Sequence, residues 1–174
     1  MNLRPLKTDD LALLFAMHRS VFRSHIEKLW GWDEDWQCEN FKSECAIAAT
    51  SVIEIDDEIA GYIQFLDRRN QIYLQNIAIA AAFQAKGVCS NLLMDLQSRA
   101  ASQRVPFHLG AFKTNASAIK LYNRLGFRNV AKRPPTSRCR GWLLVLGAKR
   151  EPANLFHRLL WGGSIPFGDW GRRF

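Results

Sequence analysis

One stretch of the sequence, residues 76–90, most constrains the fold, because it joins a short apolar strand to a turn and the start of an amphipathic helix. The apolar run ends near Ile79, and Gly87 stands just before the helical pattern. Free N–H groups at a helix start point outward and the helix dipole adds positive potential, so such a turn can hold an anion. Gly87 has no Cβ and lets a phosphate approach the backbone, while Lys86 adds a positive charge. The pattern predicts a phosphate-binding turn.

Hydrophobic periodicity predicts the element order β-α-α-β-β-β-α-β-α-β-β for the chain. Thr8 and Asp33 are the expected N-caps of the first two helices. The strands between residues 51 and 79 form an antiparallel meander, and the helix over 87–103 then places the next strand parallel to its predecessor. The prediction is an α/β fold with a mixed, mostly antiparallel sheet flanked by helices. Strands are expected over 1–5, 51–55, 59–66, 71–79, 105–112, 127–133 and 139–146, and the last helix over 115–125.

The length and charge of the chain limit the classes of partner. The chain has 174 residues, enough for one domain, and a net charge of +8 that favours an anionic ligand. It contains neither a long basic block nor an apolar run of the roughly 20 residues that a membrane span needs, so we expect no nucleic-acid or membrane partner. The four cysteines lack metal-ligand spacing, so no metal is expected. Without a secretory signal, they predict reduced thiols and a cytoplasmic location.

A second motif lies at residues 115–127, Asn-Ala-Ser-Ala-Ile-Lys-Leu-Tyr-Asn-Arg-Leu-Gly-Phe. With the turn around Gly87 it resembles the acetyl-CoA-binding core of the GCN5-related N-acetyltransferases, the GNAT family. That family carries Arg/Gln-x-x-Gly-x-Gly/Ala and then Asn-x-x-Ala-x-x-Leu-Tyr-x-x-x-Gly-Phe. The resemblance covers roughly residues 50 to 130 and implies the GNAT fold and an acetyl-CoA-dependent N-acetyltransferase. The matches are Gln84 and Gly87, with Cys89 in place of Gly or Ala, and then Asn115, Ala118, Leu121, Tyr122, Gly126 and Phe127.

The resemblance also implies how acetyl-CoA is held. The backbone of Ile77, Ala78 and Ile79 would pair with the pantetheine arm, and a backbone N–H near Ile79 would face the thioester oxygen. Asn115 is either a plain N-cap or an N-cap that also contacts the cofactor arm. Gln84 is also expected to bind the cofactor. The pyrophosphate would lie against the turn and the first helical residues, which are Ala85, Lys86, Gly87, Val88, Cys89 and Ser90.

Tyr122 and Cys89 each allow two interpretations. In the family the position of Tyr122 gives a proton to the CoA thiolate, and a phenol with a pKa near 10 can do this at neutral pH. The alternative is that Tyr122 only packs in the core. Cys89 is either a small buried spacer or a thiol whose pKa the helix N-terminus lowers.

The general base is not identified by the sequence. Many family members carry a glutamate on the strand before the phosphate turn or on the next one, and this chain has no carboxylate there. A water chain to bulk solvent would also serve. The residues at those strand positions are Gln75, Asn76, His108 and Gly110, and the carboxylates of the segment expected to wall the acceptor pocket are Glu27, Asp33, Glu34 and Asp35.

The acceptor is expected to be a primary amine of a small molecule. Trp30 and Trp32 are predicted to help form its pocket, because indole faces attract cations and Asp33, Glu34 and Asp35 add negative potential. The alternative for both indoles is to seal the two helices onto the sheet. Two other functions stay open, namely a peptide or protein amine acetyltransferase and a catalytically silent acyl-CoA-binding module.

The sequence divides into an N-acetyltransferase domain over residues 1–150 and an aromatic and basic tail over 151–174. Five large aromatic side chains in this tail are too many to leave in water. We expect the tail to dock on the sheet edge, on a second subunit of a possible homodimer, or over the acceptor cleft.

Overall fold

The computed structural model describes residues 1–129 and 144–148. Two 3-10 turns, Thr8–Asp10 and Ala81–Phe83, accompany the regular elements of this part. Its helices are α1 (Leu11–Trp30), α2 (Glu34–Ile47), α3 (Val88–Gln103) and α4 (Ala116–Arg124). Its strands are β1 (Asn2–Pro5), β2 (Ala49–Ile55), β3 (Glu58–Arg68), β4 (Gln71–Ile79), β5 (Phe107–Ala111), β6 (Phe127–Asn129) and β7 (Leu144–Ala148).

The strands form one sheet in the order β1-β2-β3-β4-β5-β7-β6. Neighbouring strands are antiparallel except β4 and β5, which are parallel because α3 crosses over between them. The predicted mixed, mostly antiparallel sheet flanked by helices is confirmed. No helix within the described residues is both long enough and apolar enough to cross a membrane.

Two irregularities in β4 open the sheet. The pairing with β3 skips Gln75, because Gln64 lies opposite Asn76 while Phe65 lies opposite Leu74. The pairing with β5 ends at Leu74, after three residue pairs. Beyond that point no described strand pairs with β4 on the β5 side, so the backbone up to Ile79 borders an open space.

Hydrophobic side chains pack on both faces of the sheet. The face under α3 and α4 includes Ile79, Leu93 and Phe127, and the face under α1 and α2 includes Leu14 and Ala78. Neighbouring residues of β4 therefore serve opposite faces, as side chains of a strand alternate. Between β3 and β4 the contact is so close that a Cβ at Gly61 would overlap with the carbonyl oxygen of Ala78.

The first helix begins differently from the prediction. Thr8 is not an N-cap but the first residue of a 3-10 turn. Asp10 instead accepts the Lys7 N–H at 2.8 Å and two N–H groups of the Arg4 guanidinium at 2.6 and 2.8 Å, because β1 brings Arg4 beside it. These hydrogen bonds lower the pKa of Asp10 to about 2. The predicted cap of the second helix is confirmed, since Asp33 accepts the Trp36 N–H at 3.0 Å.

Several predicted features lie outside the described residues. They are the end of the sixth strand, the start of the seventh and the tail over 151–174. The described part of the seventh strand runs to Ala148, two residues beyond its predicted end at Leu146.

Candidate active site

A cavity of about 980 Å³ opens where β4 and β5 separate. It runs between α1 and α2 on one side and the starts of α3 and α4 on the other. Most of the site residues predicted from the sequence line it. They are Trp30, Ile77, Ile79, Gln84, Ala85, Gly87, Val88, Cys89, Ser90, Asn115 and Tyr122. Ala78, Lys86 and Trp32 are not among the described lining residues.

The turn before α3 leaves the helix start open. Ala85 and Gly87 have left-handed backbones, with φ of 59° and 83°, so the chain reverses sharply into the helix. No side chain caps α3, and its first backbone bond runs from the Asn91 N–H to the Gly87 carbonyl at 3.0 Å. The N–H groups of the first turn are thus free to face an anion.

Gln84 and Arg124 make hydrogen bonds around this turn, whereas the Lys86 side chain points to a nearby ring. Gln84 Nε2 donates to the Ile79 carbonyl at 2.8 Å and ties the turn to the end of β4. Arg124 donates to the Ser90 hydroxyl at 3.4 Å and brings a positive charge from α4 to the α3 start. Lys86 Nζ lies instead over the Phe83 ring, 5.4 Å from its centroid.

Tyr122, on α4, lines the same cavity. Asn115 caps this helix by accepting the Ala118 N–H at 3.0 Å, and the Tyr122 ring packs against Phe127 at 5.9 Å. Tyr122 is 6% exposed, and this burial raises its pKa well above the ordinary value of 10, helped by the neighbouring Cys89 and Tyr73. The phenol is therefore protonated at neutral pH.

Cys89 and Tyr73 share this environment. Burial raises the pKa of the Cys89 thiol to about 11 and that of the Tyr73 phenol to about 12. The protonated state of Cys89 favours its interpretation as a small spacer over that of a reactive thiol.

Aromatic rings form the wall of the cavity on the α1 side. The Phe112 ring lies 6.3 Å from Phe22, 5.5 Å from His25 and 6.3 Å from Trp30. All four side chains line the cavity and are partly exposed. The sequence identified Trp30, but the other three rings come from separate positions that only the fold brings together.

Trp32 lies outside this wall, contrary to the prediction. Gly31, with φ of 82°, ends α1 and redirects the chain. The Trp32 indole then donates to Glu34 Oε2 at 2.6 Å, and Arg23 lies 5.8 Å above its ring. Glu34 also pairs with Arg19 at 2.8 Å. None of the acidic residues predicted to draw in a cation, Asp33, Glu34 and Asp35, is among the described residues that line the cavity.

The two buried histidines are held neutral. His108 is not among the described lining residues, and its Nδ1 lies 3.2 Å from Gln71 Oε1. His18 lines the cavity with its Nδ1 2.6 Å from the Tyr62 hydroxyl. Burial lowers the pKa of each to about 4.

The sequence analysis also missed the carboxylate that lines the cavity. Glu44 lies near the end of α2 and reaches β4, where it accepts a hydrogen bond of 2.9 Å from Asn76 Nδ2. In sequence it resembles any glutamate of a polar helix face. Its i,i+4 partner Asn40, which donates to it at 3.1 Å, was the one local signal available.

Comparison of the chain with known protein families identifies its family. The family described as "Acetyltransferase (GNAT) family" matches residues 12–127. A curated relative, the spore coat polysaccharide biosynthesis protein SpsD of Bacillus subtilis (strain 168), is 28% identical over 95 residues, which are 54% of this chain. The chain spans about a third of that relative, 32% of its length.

Solved structures share the fold. The PaiA N-acetyltransferase from Thermoplasma acidophilum in complex with coenzyme A has a TM-score of 0.64 at 13% identity, over 86% of this chain and 98% of that one. The ribosomal-protein-S18-alanine N-acetyltransferase from Escherichia coli has a TM-score of 0.58 at 22% identity, over 89% and 98% of the two chains. At these identities the similarity extends to the fold alone.

Proposed function

Because the chain belongs to the acetyltransferase (GNAT) family, we propose that it transfers an acetyl group from acetyl-CoA to a primary amine of a small molecule by direct attack on the thioester. The observation that carries this proposal is that a single cavity contains both the uncapped start of α3 and the buried hydroxyl of Tyr122. The first can hold phosphates and the second can supply a proton.

The residues of the cavity fit acetyl-CoA, which supplies an acetyl group activated as a thioester. The N–H groups at residues 88–90 and the guanidinium of Arg124 suit the pyrophosphate. The open backbone edge of β4, from Asn76 to Ile79, suits the amides of the pantetheine arm. Cys89 is small enough to keep the phosphate turn open. The side chain of Ala78 is buried on the opposite face, so its part would be played by the backbone alone.

Tyr122 is assigned the role of general acid. Burial makes Tyr122 a weaker acid than a phenol in water. The same burial raises the pKa of the Cys89 thiol to about 11 and would also make a departing thiolate strongly basic. The pKa of Tyr122 and that of the leaving thiol would then be closer than the ordinary pKa of a free thiol implies, which favours proton transfer from Tyr122 to sulfur. A backbone N–H near Ile79 would stabilise the developing oxyanion.

The aromatic wall supports a small amine with an apolar body. Phe22, His25, Trp30 and Phe112 present ring faces that attract cations and bury apolar groups. The names of the relatives include acetylation of a ribosomal protein. A peptide amine is therefore the alternative acceptor.

The test is thiol release from acetyl-CoA with phenethylamine, n-butylamine and a lysine-containing peptide as acceptors. We expect turnover with the amines, fastest with phenethylamine. Acetyl-CoA affinity is measured separately by calorimetry. Binding of acetyl-CoA without transfer to any acceptor would contradict the proposal and favour a silent acyl-CoA-binding module.

A further inference from the structure

Glu44 is the one carboxylate among the described residues that line the cavity. Its side chain is held at both oxygens, since Oε1 accepts from Asn40 Nδ2 at 3.1 Å and Oε2 from Asn76 Nδ2 at 2.9 Å. Asn40 is one turn back on α2 and Asn76 is on β4. The carboxylate therefore bridges α2 and β4, the strand that borders the opening of the sheet.

This position coincides with the point where β4 loses its second partner. Asn76 follows the bulged Gln75 directly, and pairing with β5 ends at Leu74. Glu44 lines the cavity together with Tyr73 and Tyr122, and burial raises the pKa of Tyr73, helped by the negative charge of Glu44. The carboxylate of Glu44 and the hydroxyl-bearing side chain of Tyr122 thus belong to one cavity.

We propose that Glu44 binds the acceptor as its ammonium ion and then acts as the general base that removes a proton from it. This inference rests on the proposed transfer to a primary amine. It supplies from α2 the carboxylate that β4 and β5 lack at Gln75, Asn76, His108 and Gly110.

The charge of Glu44 has no cationic partner in the described part of the chain. Its hydrogen-bond donors are the neutral amides of Asn40, Gln75 and Asn76, and no described residue forms an ion pair with it. An ammonium group entering the cavity would balance this charge, in a chain whose net charge is +8. The cationic lining residues, Arg68 and Arg124, make no such contact.

The surroundings of Glu44 favour a base stronger than an exposed carboxylate. Burial raises its pKa, while the three amide hydrogen bonds act in the opposite direction and only partly offset it. The titratable groups near it are neutral at physiological pH, because burial raises the pKa of Cys45, Tyr62 and Tyr73 and lowers that of His18. Its pKa is thus shifted toward the working range of a general base.

A partly buried chain of hydrogen bonds orients the carboxylate. Gln64 is fully buried and donates to Thr50 Oγ1 at 3.2 Å, which turns its own Oε1 toward Asn76. Asn76 Nδ2 donates to that oxygen at 2.8 Å and, with its other hydrogen, to Glu44. Because each amide in the chain fixes the next, Asn76 presents a donor rather than an acceptor to Glu44.

The proposed step balances. The ammonium ion gives one proton to Glu44 and becomes a nucleophile; its nitrogen then forms a bond to the acetyl carbon as the carbon–sulfur bond breaks. The sulfur leaves as a thiolate that receives the proton of Tyr122. The nitrogen then loses its second proton, which returns through water to the Tyr122 oxygen and restores the phenol. Glu44 passes its proton to water, so one proton is released for each amide and thiol formed.

Glu44→Gln tests this role, because it removes the charge but keeps the length of the side chain. We expect kcat/KM for phenethylamine to fall by roughly 10²- to 10⁴-fold, with the acetyl-CoA Kd unchanged. In the wild type kcat/KM should decrease at acidic pH as Glu44 becomes protonated, and the variant should lose this dependence. Glu39→Gln is the matched control on the same helix, since Glu39 is 73% exposed and pairs with Lys42; it should match the wild type.

Two further variants guard against a folding effect. Glu44→Asp should lower the rate but keep the acidic limb, and added acetate should partly restore activity to Glu44→Ala. A folded Glu44→Gln with near wild-type kcat/KM, or with its acidic limb intact, overturns the role of Glu44 while the proposed function stands. If Glu44→Gln does not fold, wild-type rates in Glu44→Asp overturn it instead. A wild type that binds acetyl-CoA but acetylates no amine refutes the proposed function and this role together.

Discussion

Replacing Tyr122 with phenylalanine should separate catalysis from packing. The substitution removes one hydroxyl and keeps the ring contact with Phe127 at 5.9 Å. No hydrogen bond from this hydroxyl is seen among the described residues, so its loss leaves no orphaned partner. We expect the free energy of unfolding to change by less than about 1 kcal/mol. The loss of a general acid should instead lower kcat by roughly 10²- to 10⁴-fold, about 2.7 to 5.4 kcal/mol of barrier.

The assay is thiol release at saturating acetyl-CoA and amine, with a pre-steady-state measurement to establish that chemistry limits the rate. Tyr73→Phe is the matched control, because Tyr73 is a neighbouring cavity phenol whose pKa is also raised. Because the acid form of Tyr122 is the active one and its pKa lies well above 10, Tyr122 should cause no loss of wild-type activity up to about pH 9. A fall in kcat of less than about threefold, under 1 kcal/mol, would identify Tyr122 as a packing residue.

Three further predictions concern the cofactor, the acceptor and acid stability. Gly87→Glu should raise the acetyl-CoA Kd at least ~100-fold, about 2.7 kcal/mol, by setting a carboxylate against the phosphates, whereas Gly87→Gln, with the same size and backbone strain, should raise it far less; equal calorimetric affinities would contradict the phosphate site. Trp30→Leu should raise the acceptor KM and leave the acetyl-CoA Kd unchanged, while Trp32→Leu, outside the cavity, should leave both unchanged; an unaltered KM in Trp30→Leu would make that indole a packing residue. Folding lowers the pKa of Asp10 from 3.8 to about 2, so the stability from its pairing with Arg4 is complete above about pH 4 and is lost as the pH falls toward 2; Asp10→Asn should flatten this part of the stability curve in urea titrations, and an unchanged curve would mean that the pair contributes nothing.

Local signals allowed much of the fold to be predicted from the sequence. The bounds of β4 follow from its apolar run, and the caps at Asp33 and Asn115 follow from side chains that bond their own helix. These interactions span only three residues. The prediction of Thr8 as an N-cap was wrong because Arg4 on β1 binds Asp10 and thereby moves the start of the helix. The local helix pattern contains no information on this contact with β1.

The site was less predictable because it depends on distant contacts. Glu44 and Glu39 look alike in the sequence, yet only Glu44 meets Asn76, 32 residues away. Trp30 and Trp32 are likewise similar neighbours, and the left-handed Gly31 between them decides which of the two faces Phe112. Such choices are made by the direction of the backbone after the helix ends, which composition and spacing do not encode.

The split between β4 and β5 would let a bound ligand change the stability of the sheet. The two halves of the sheet, β1–β4 and β5–β7, are joined by only three residue pairs between β4 and β5. A cofactor arm hydrogen-bonded along the free edge of β4 would extend this contact and form a reversible bridge between the two halves. At a free acetyl-CoA concentration of 100 times the Kd, binding would then add about 2.7 kcal/mol to the free energy of unfolding. Amide hydrogens from Asn76 to Ile79 would exchange more slowly with solvent when the cofactor is bound. The rigidity of this fold would therefore vary with the acetyl-CoA concentration.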